Sequence, residues 1–99
     1  MEGDKVNITI SELLNLNTNN IIDIRSPKQY NLGHLPHAKN IPFQTLLINY
    51  QKYLNQNETY YIYCETGTTS SKLCQILNKK NYKLVNVIGG YQSFDLNKR

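Results

Sequence analysis

Nowhere in the 99 residues does an apolar run approach the ~18 residues of a membrane-spanning helix. The amino-terminal stretch MEGDKVNITI has neither the apolar segment nor the small-residue cleavage site of a secretory signal. Cysteine is scarce too: there are two, Cys64 and Cys74, whereas small secreted domains held by disulfides usually carry four or more. Reduced thiols in a cytoplasmic protein, away from any membrane, are therefore expected. Basic clustering is absent as well. The net charge is +4, but the lysines are spread along the chain with only Lys79 and Lys80 adjacent, so no stripe offers a footprint for nucleic acid. The mild positive balance instead favours small anionic substrates. Eight tyrosines would suit a stacking surface for single strands, but several fall at core-facing positions and are expected to pack. Asparagines are scattered without forming tracts, and no segment repeats.

With 39% hydrophobic and 18% charged residues, the chain has the composition of a globular protein and the length of one domain, residues 1–99. The run ITI at 8–10 is β-prone, and Ser11 is placed to cap a short helix carrying Leu13, Leu14 and Leu16. IIDIR at 21–25 has the character of a buried strand. SPKQ follows, a capping box with proline at the first helical position, so a short helix through Leu32 is expected, with Gly33 taking a positive φ at its end. HLPHAKNIPF, bracketed by Pro36 and Pro42, suits an extended crossover or edge strand. Apolar residues at 46, 47, 50, 53 and 54 form a helical stripe. A strand at 60–63, a helix at 70–80, a strand at 84–88 ending in Gly89-Gly90 and a helix from about Tyr91 complete the pattern. Strands alternating with helices predict an α/β fold, a mainly parallel central sheet flanked by helices on both faces. Ligands of such sheets bind beyond the carboxyl ends of the strands, and Cys64 lies at one of those ends.

The stretch YYIYCETGTTSSKLCQIL, residues 60–77, carries the chemistry. Small residues after Cys64 can curl around its sulfur, and the following helix turns its unpaired amides back toward it. Helix amino termini and successive loop amides attract negative charge, so a thiolate there is stabilised relative to the thiol. The same amides can hold an anionic sulfur group.

IIDIRSPKQYNLGHLPHAKNIPF resembles the front signature of the single-domain rhodaneses, in which a strand ending in Asp-x-Arg precedes a helix and a Gly-His-Ile-Pro-Gly-Ala-x-Asn-type segment. YYIYCETGTTSSKLCQIL is similar to that family's active loop, Cys-x-x-Gly-x-Arg-Ser leading into a helix, and VNVIGGYQSF to its closing segment. The resemblance implies a rhodanese-like sulfurtransferase or sulfur carrier. Cys64 would take sulfane sulfur from a small anionic donor, thiosulfate or a persulfide, as a protein persulfide. It would then pass the sulfur to a thiol or cyanide-like acceptor, or exchange it with a protein partner. No cofactor and no metal are implied. Glu65, Thr66, Gly67, Thr68, Thr69 and Ser70 would line the substrate site, with Asp23, Arg25 and His34 as structural residues nearby.

Departures from the pattern have chemical meaning. Thr69 stands where the loop usually has arginine, and a hydroxyl does not reproduce a charged, forked contact to a sulfonate. Glu65 adds a negative charge next to the cysteine. Weak thiosulfate activity is the expectation, and a catalytically weak binding or persulfide-sensing module is the alternative. Phosphatase relatives of the fold use Cys-x5-Arg, and here that position is Ser70, which leaves a phosphoryl group without its charge clamp. His37 replaces a usual glycine and Phe94 a usual tryptophan. Cys74, among apolar helix positions, is expected to be core filler. His34 and His37 surround a proline with no third ligand at a metal spacing, so His34 is expected to brace backbone. Asp23 and Arg25 are expected to form a structural ion pair.

Overall fold

A computed structural model describes residues 6–97. Strands and helices alternate as β1 (Asn7–Ile8), α1 (Ile10–Asn15), β2 (Ile21–Asp23), α2 (Pro27–Leu32), β3 (Ala38–Asn40), α3 (Phe43–Tyr53), β4 (Thr59–Tyr63), α4 (Thr68–Asn78), β5 (Lys83–Val87) and α5 (Gly90–Asn97). The sheet order is β1-β5-β4-β2-β3 and every pairing is parallel. No helix among the described residues is long and apolar enough to cross a membrane.

Side-chain alternation along the strands feeds two cores, one on each face of the sheet. Ile22, Tyr60, Ile62 and Leu84 join Leu46 of α3 and Leu73, Cys74 and Leu77 of α4. Ile21, Tyr63, Val85 and Val87 join Ile10 and Leu13 of α1 on the other face, where Tyr30, Tyr91 and Phe94 pack against them. Each fully buried leucine here contributes about 1.5–3 kcal/mol of transfer free energy. Helices on both faces leave the strand ends as the accessible edge of the layer.

Several boundaries differ from the sequence expectation for identifiable reasons. The first helix is capped by Thr9, not Ser11, because Thr9 and Glu12 form a reciprocal capping box with bonds of 3.1 Å in each direction. Its buried members are Ile10 and Leu13, while Leu14 and Leu16 face solvent. The SPKQ box forms as read, with Ser26 as cap, Pro27 in the first turn and Gln29 bonding back. Gly33, however, has φ 161° and ψ 141°, an extended backbone open to any residue. Its glycine leaves room for Tyr91: a Cβ would come 2.5 Å from the Tyr91 hydroxyl oxygen, so that ring would have to shift. The crossover segment does supply an edge strand, β3, preceded by His37 at φ 68°. Of the stripe, Leu46 and the last member Leu54 are buried, whereas Tyr53 is exposed. The helix after Cys64 starts at Thr68, two residues before its expected position, directly after Gly67.

Candidate active site

Cys64 follows β4 immediately and is buried on the α3/α4 side of the sheet. Gly67, at φ 98° and ψ −9°, reverses the chain so that α4 starts only four residues after the cysteine. A Cβ there would face both a left-handed φ and the Gly89 amide nitrogen at 3.1 Å. Helix α4 has no side-chain cap of the usual kind. Its orphan donors turn to sulfur instead: the Gly67 amide donates to Cys64 Sγ at 3.1 Å and the Ser70 amide at 3.3 Å. Ser70 is the third helical residue, so Sγ occupies the place that a serine or aspartate oxygen takes in an ordinary N-cap.

Burial pushes the Cys64 thiol up, but the Ser70 hydroxyl and the amides of Ser70, Gly67 and Thr66 outweigh it, leaving the sulfur below the ordinary thiol range. Peptide amides and one hydroxyl supply this stabilisation. The Ser70 hydroxyl lies 3.4 Å from Sγ and also donates to Asn86 Oδ1 at 2.5 Å. It has a single proton, so it cannot donate to both at once.

Helix α5 holds the loop from above. The Tyr91 amide donates to the Cys64 carbonyl and the Gln92 amide to the Glu65 carbonyl, both at 2.9 Å. Gly90, at φ 60°, makes this approach feasible, because a Cβ would overlap the Cys64 carbonyl oxygen and stand 2.7 Å from the Glu65 carbonyl carbon. The Gly89-Gly90 pair at the end of β5 therefore serves the cysteine loop directly.

Below the loop, Asp23 and Arg25 form the expected buried pair. Arg25 Nε donates to both Asp23 oxygens at 3.1 Å and one terminal nitrogen donates to Oδ2 at 2.7 Å. The remaining guanidinium donors reach the Gly33 carbonyl at 2.7 Å and Glu65 Oε1 at 3.2 Å. Arg25 also lies 4.2 Å from the Tyr91 ring centre. One guanidinium thus ties together β2, the turn after α2, α5 and the cysteine loop. The negative charge of Glu65 is turned onto Arg25, and its side chain remains about 45% exposed.

Thr66, Thr68 and Thr69 are exposed, with the hydroxyls of Thr66 and Thr68 3.4 Å apart, whereas Gly67 and Ser70 are buried. The loop therefore presents threonines outward and amides inward. His34 is exposed: its Nδ1 donates to the Tyr30 carbonyl at 2.9 Å and its ring stacks on Tyr30 at 3.8 Å, bracing the end of α2. Cys74 is buried in the same core as Cys64, and burial, with the charge on Cys64, pushes its thiol up to about 12. Among the described residues, no three His, Cys, Asp or Glu side chains gather as a metal site.

Three residues to which the sequence alone gives no role at the site complete the arrangement. Asn86 on β5 bonds to Ser70. Tyr91 covers Arg25. Asn40 donates to the carbonyls of Asp23 and Arg25, each at 3.0 Å, and so fixes the end of β2. Asn40 belongs to the quoted crossover segment and was legible as a motif member. Asn86 and Tyr91 belong to the quoted closing segment in the same way, but which site groups they meet is set only by folding.

Known proteins resemble this chain in sequence and in fold. Residues 9–97 match the sequence profile of the Rhodanese-like domain. The thiosulfate sulfurtransferase PspE of Escherichia coli is 31% identical over 78 residues, which cover 78% of this chain and 75% of that protein. Two other curated relatives are longer, and the chain spans 20% and 40% of their lengths. A crystal structure of a rhodanese-like domain protein from Staphylococcus aureus superposes with a TM-score of 0.79 at 36% identity, covering 89% of each chain. A protein of Staphylococcus saprophyticus gives 0.80 at 38% identity, covering 89% of this chain and 91% of the other. Fold, sequence profile and these relatives together place the chain in the rhodanese-like domain family.

Proposed function

We propose that this protein is a sulfurtransferase or sulfur carrier that moves sulfane sulfur through a persulfide on Cys64. The observation that carries this reading is Cys64 Sγ standing at the amino terminus of α4 as the acceptor of the Gly67 and Ser70 amides. In the first step the Cys64 thiolate attacks the outer sulfur of the donor. An S–S bond to Cys64 forms, the donor's own sulfur–sulfur bond breaks, and the leaving group departs with its electron pair, as sulfite from thiosulfate or as a thiolate from a persulfide. In the second step a nucleophilic acceptor, cyanide or a thiolate, attacks the outer sulfur and Cys64 leaves as thiolate. The amides that steady the thiolate are placed to steady the terminal persulfide anion as well. Glu65, Thr66, Gly67, Thr68, Thr69 and Ser70 form the rim and floor that the donor meets. A reducing compartment such as the cytoplasm suits two free thiols.

The reduced protein, incubated with thiosulfate or a low-molecular-weight persulfide, should gain the mass of one sulfur atom and lose it on treatment with cyanide. A protein whose thiol stays free and gains nothing from any donor would defeat the proposal. It would favour the second reading, a persulfide-sensing or binding module, which is motivated by Thr69 in place of arginine. The donor preference follows from the same position. Thr69 is exposed in the first turn of α4, with space for a longer side chain. Thr69→Arg should raise kcat/KM for thiosulfate about 10-fold or more, mainly through KM, since a charge-assisted bond contributes roughly 1.5–3 kcal/mol. Unchanged steady-state kinetics would mean that the dianion is held elsewhere.

A further inference from the structure

Asn86 is a polar residue on an apolar surface. On β5 it follows the alternation of Leu84, on the face that packs against α4, and it is buried. A leucine would suit that position, and a buried amide costs free energy unless it is bonded. Its side-chain bond among the described residues is the one at Oδ1, from the Ser70 hydroxyl, which is itself buried and in reach of Cys64 Sγ. With Cys64 protonated, the three groups form a chain in which S–H donates to Ser70 Oγ and the Ser70 hydroxyl donates to Asn86 Oδ1.

That chain fails once the sulfur ionises and its proton leaves to solvent. Sγ and Oγ would then face each other as acceptors unless the Ser70 proton swings to sulfur. Oγ would in turn face Oδ1 as acceptor to acceptor. A carboxamide resolves the conflict by turning about its last bond, so that Nδ2 donates to Oγ. No further bond among the described residues holds the amide in its first orientation. We infer that Asn86 is a positioning residue for Cys64: its carboxamide sets which way the single Ser70 proton points, toward Asn86 when the sulfur is protonated and toward the sulfur when it is a thiolate or persulfide. The inference rests on the proposed role of Cys64 and adds a residue to it.

The other ionisable groups near the sulfur do not supply this switch. Cys74 is held protonated by burial, and the Glu65 carboxylate is bound to Arg25, which is itself bound to Asp23. Asn86 is distinguished by being able both to donate and to accept.

The test is the pH dependence of Cys64 alkylation by iodoacetamide in Asn86→Asp and Asn86→Thr, each made with Ser70 and with Ser70→Ala. A carboxylate has nearly the shape of the amide but only accepts, so it locks the Ser70 proton away from sulfur. As the weaker base by several units, it also leaves a shared proton on Cys64. Asn86→Asp should raise the midpoint by at least about one unit, roughly a 10-fold slower reaction below the wild-type midpoint. Asn86→Thr, whose hydroxyl both donates and accepts, should stay close to wild type. In Ser70→Ala the shift caused by Asn86→Asp should shrink to the through-space part. A role in packing alone predicts a different order, with the threonine disruptive and the isosteric change shifting the midpoint only through space, equally in both Ser70 backgrounds. The inference is overturned by that order, by no shift in Asn86→Asp, or by the same shift in both Ser70 backgrounds. Should the aspartate variant not fold, the side-chain amide resonances of wild-type Asn86 decide. They should follow the Cys64 titration and cease to do so in Ser70→Ala. A wild-type midpoint at the free-cysteine value would refute the role of Cys64 itself, separately from any difference among the variants.

Discussion

Cys64→Ser is expected to abolish sulfur uptake, a loss of more than about 10³-fold in turnover, while leaving the fold intact. The two halves of this expectation have different causes. A serine hydroxyl is not ionised near neutrality and does not form the S–S bond on which transfer depends. Its oxygen is nevertheless a good N-cap acceptor, so the Gly67 and Ser70 amides that now meet Sγ keep a partner. Stability should therefore stay within about 1 kcal/mol of wild type. Intact mass after incubation with donor reads the first half, and thermal or urea unfolding reads the second. A serine variant that still acquires sulfur would move the chemistry to another thiol. Cys74 is a poor candidate for that role, since it is buried and its thiol is pushed up to about 12.

Asp23→Ala should be the most destabilising change near the site. It removes all four bonds that Arg25 makes to the Asp23 carboxylate, one from the backbone amide and three from the guanidinium, and leaves the buried guanidinium only the Gly33 carbonyl and the half-exposed Glu65 as polar partners. Breaking a buried pair from one side costs about 3–5 kcal/mol, because the desolvated charge that remains is uncompensated. The Tyr63 hydroxyl, held protonated by burial and bonded to Asp23, loses a partner in the same step. For a domain of this size the melting temperature should fall by roughly 15 °C or more. Sulfur uptake should fall with it, because Arg25 links β2 to the cysteine loop through Glu65. A change below about 1 kcal/mol would show that the network contributes little to folding.

How far the sequence discloses this arrangement depends on how local each cause is. The SPKQ cap and the cysteine at the end of β4 are set by neighbours in the chain and form as read, whereas IIDIR is buried throughout but is strand only over Ile21–Asp23. Thr9 was also legible, because Thr-x-x-Glu is the same capping box four residues long, but Ser11 two positions later competes with it on composition alone. Gly33 shows the limit: glycine at a helix end suggests a left-handed turn, while its actual cause is the Tyr91 hydroxyl, 58 positions away in the chain. Gly90 is similar, being glycine because the Cys64–Glu65 peptide lies against it. Asn86 gives no local sign, since an asparagine in a strand of an asparagine-rich chain is unremarkable until α4 brings Ser70 to it. The loop threonines, in contrast, are legible as a missing arginine and illegible in orientation.

Stability should carry a signature of both cysteines. A thiol lowered in the folded state adds stability as pH rises from its folded midpoint toward the ordinary thiol value, about 8.5, and Cys64 is of this kind. Cys74, raised on folding, keeps its contribution below that value and loses it progressively between about 8.5 and about 12. Global unfolding sums these with every other group, so the ionisation of Cys64 is better followed directly.

The most direct measurement is the rate of Cys64 alkylation as a function of pH, with thiolate absorbance in the ultraviolet as a second readout and Cys64→Ser as the blank. Cys64 should titrate clearly below a free thiol in the same buffer, and the blank should show no reactive thiol in that range. A midpoint equal to that of free cysteine, or a sulfur that reagents do not reach at any pH, would contradict the account.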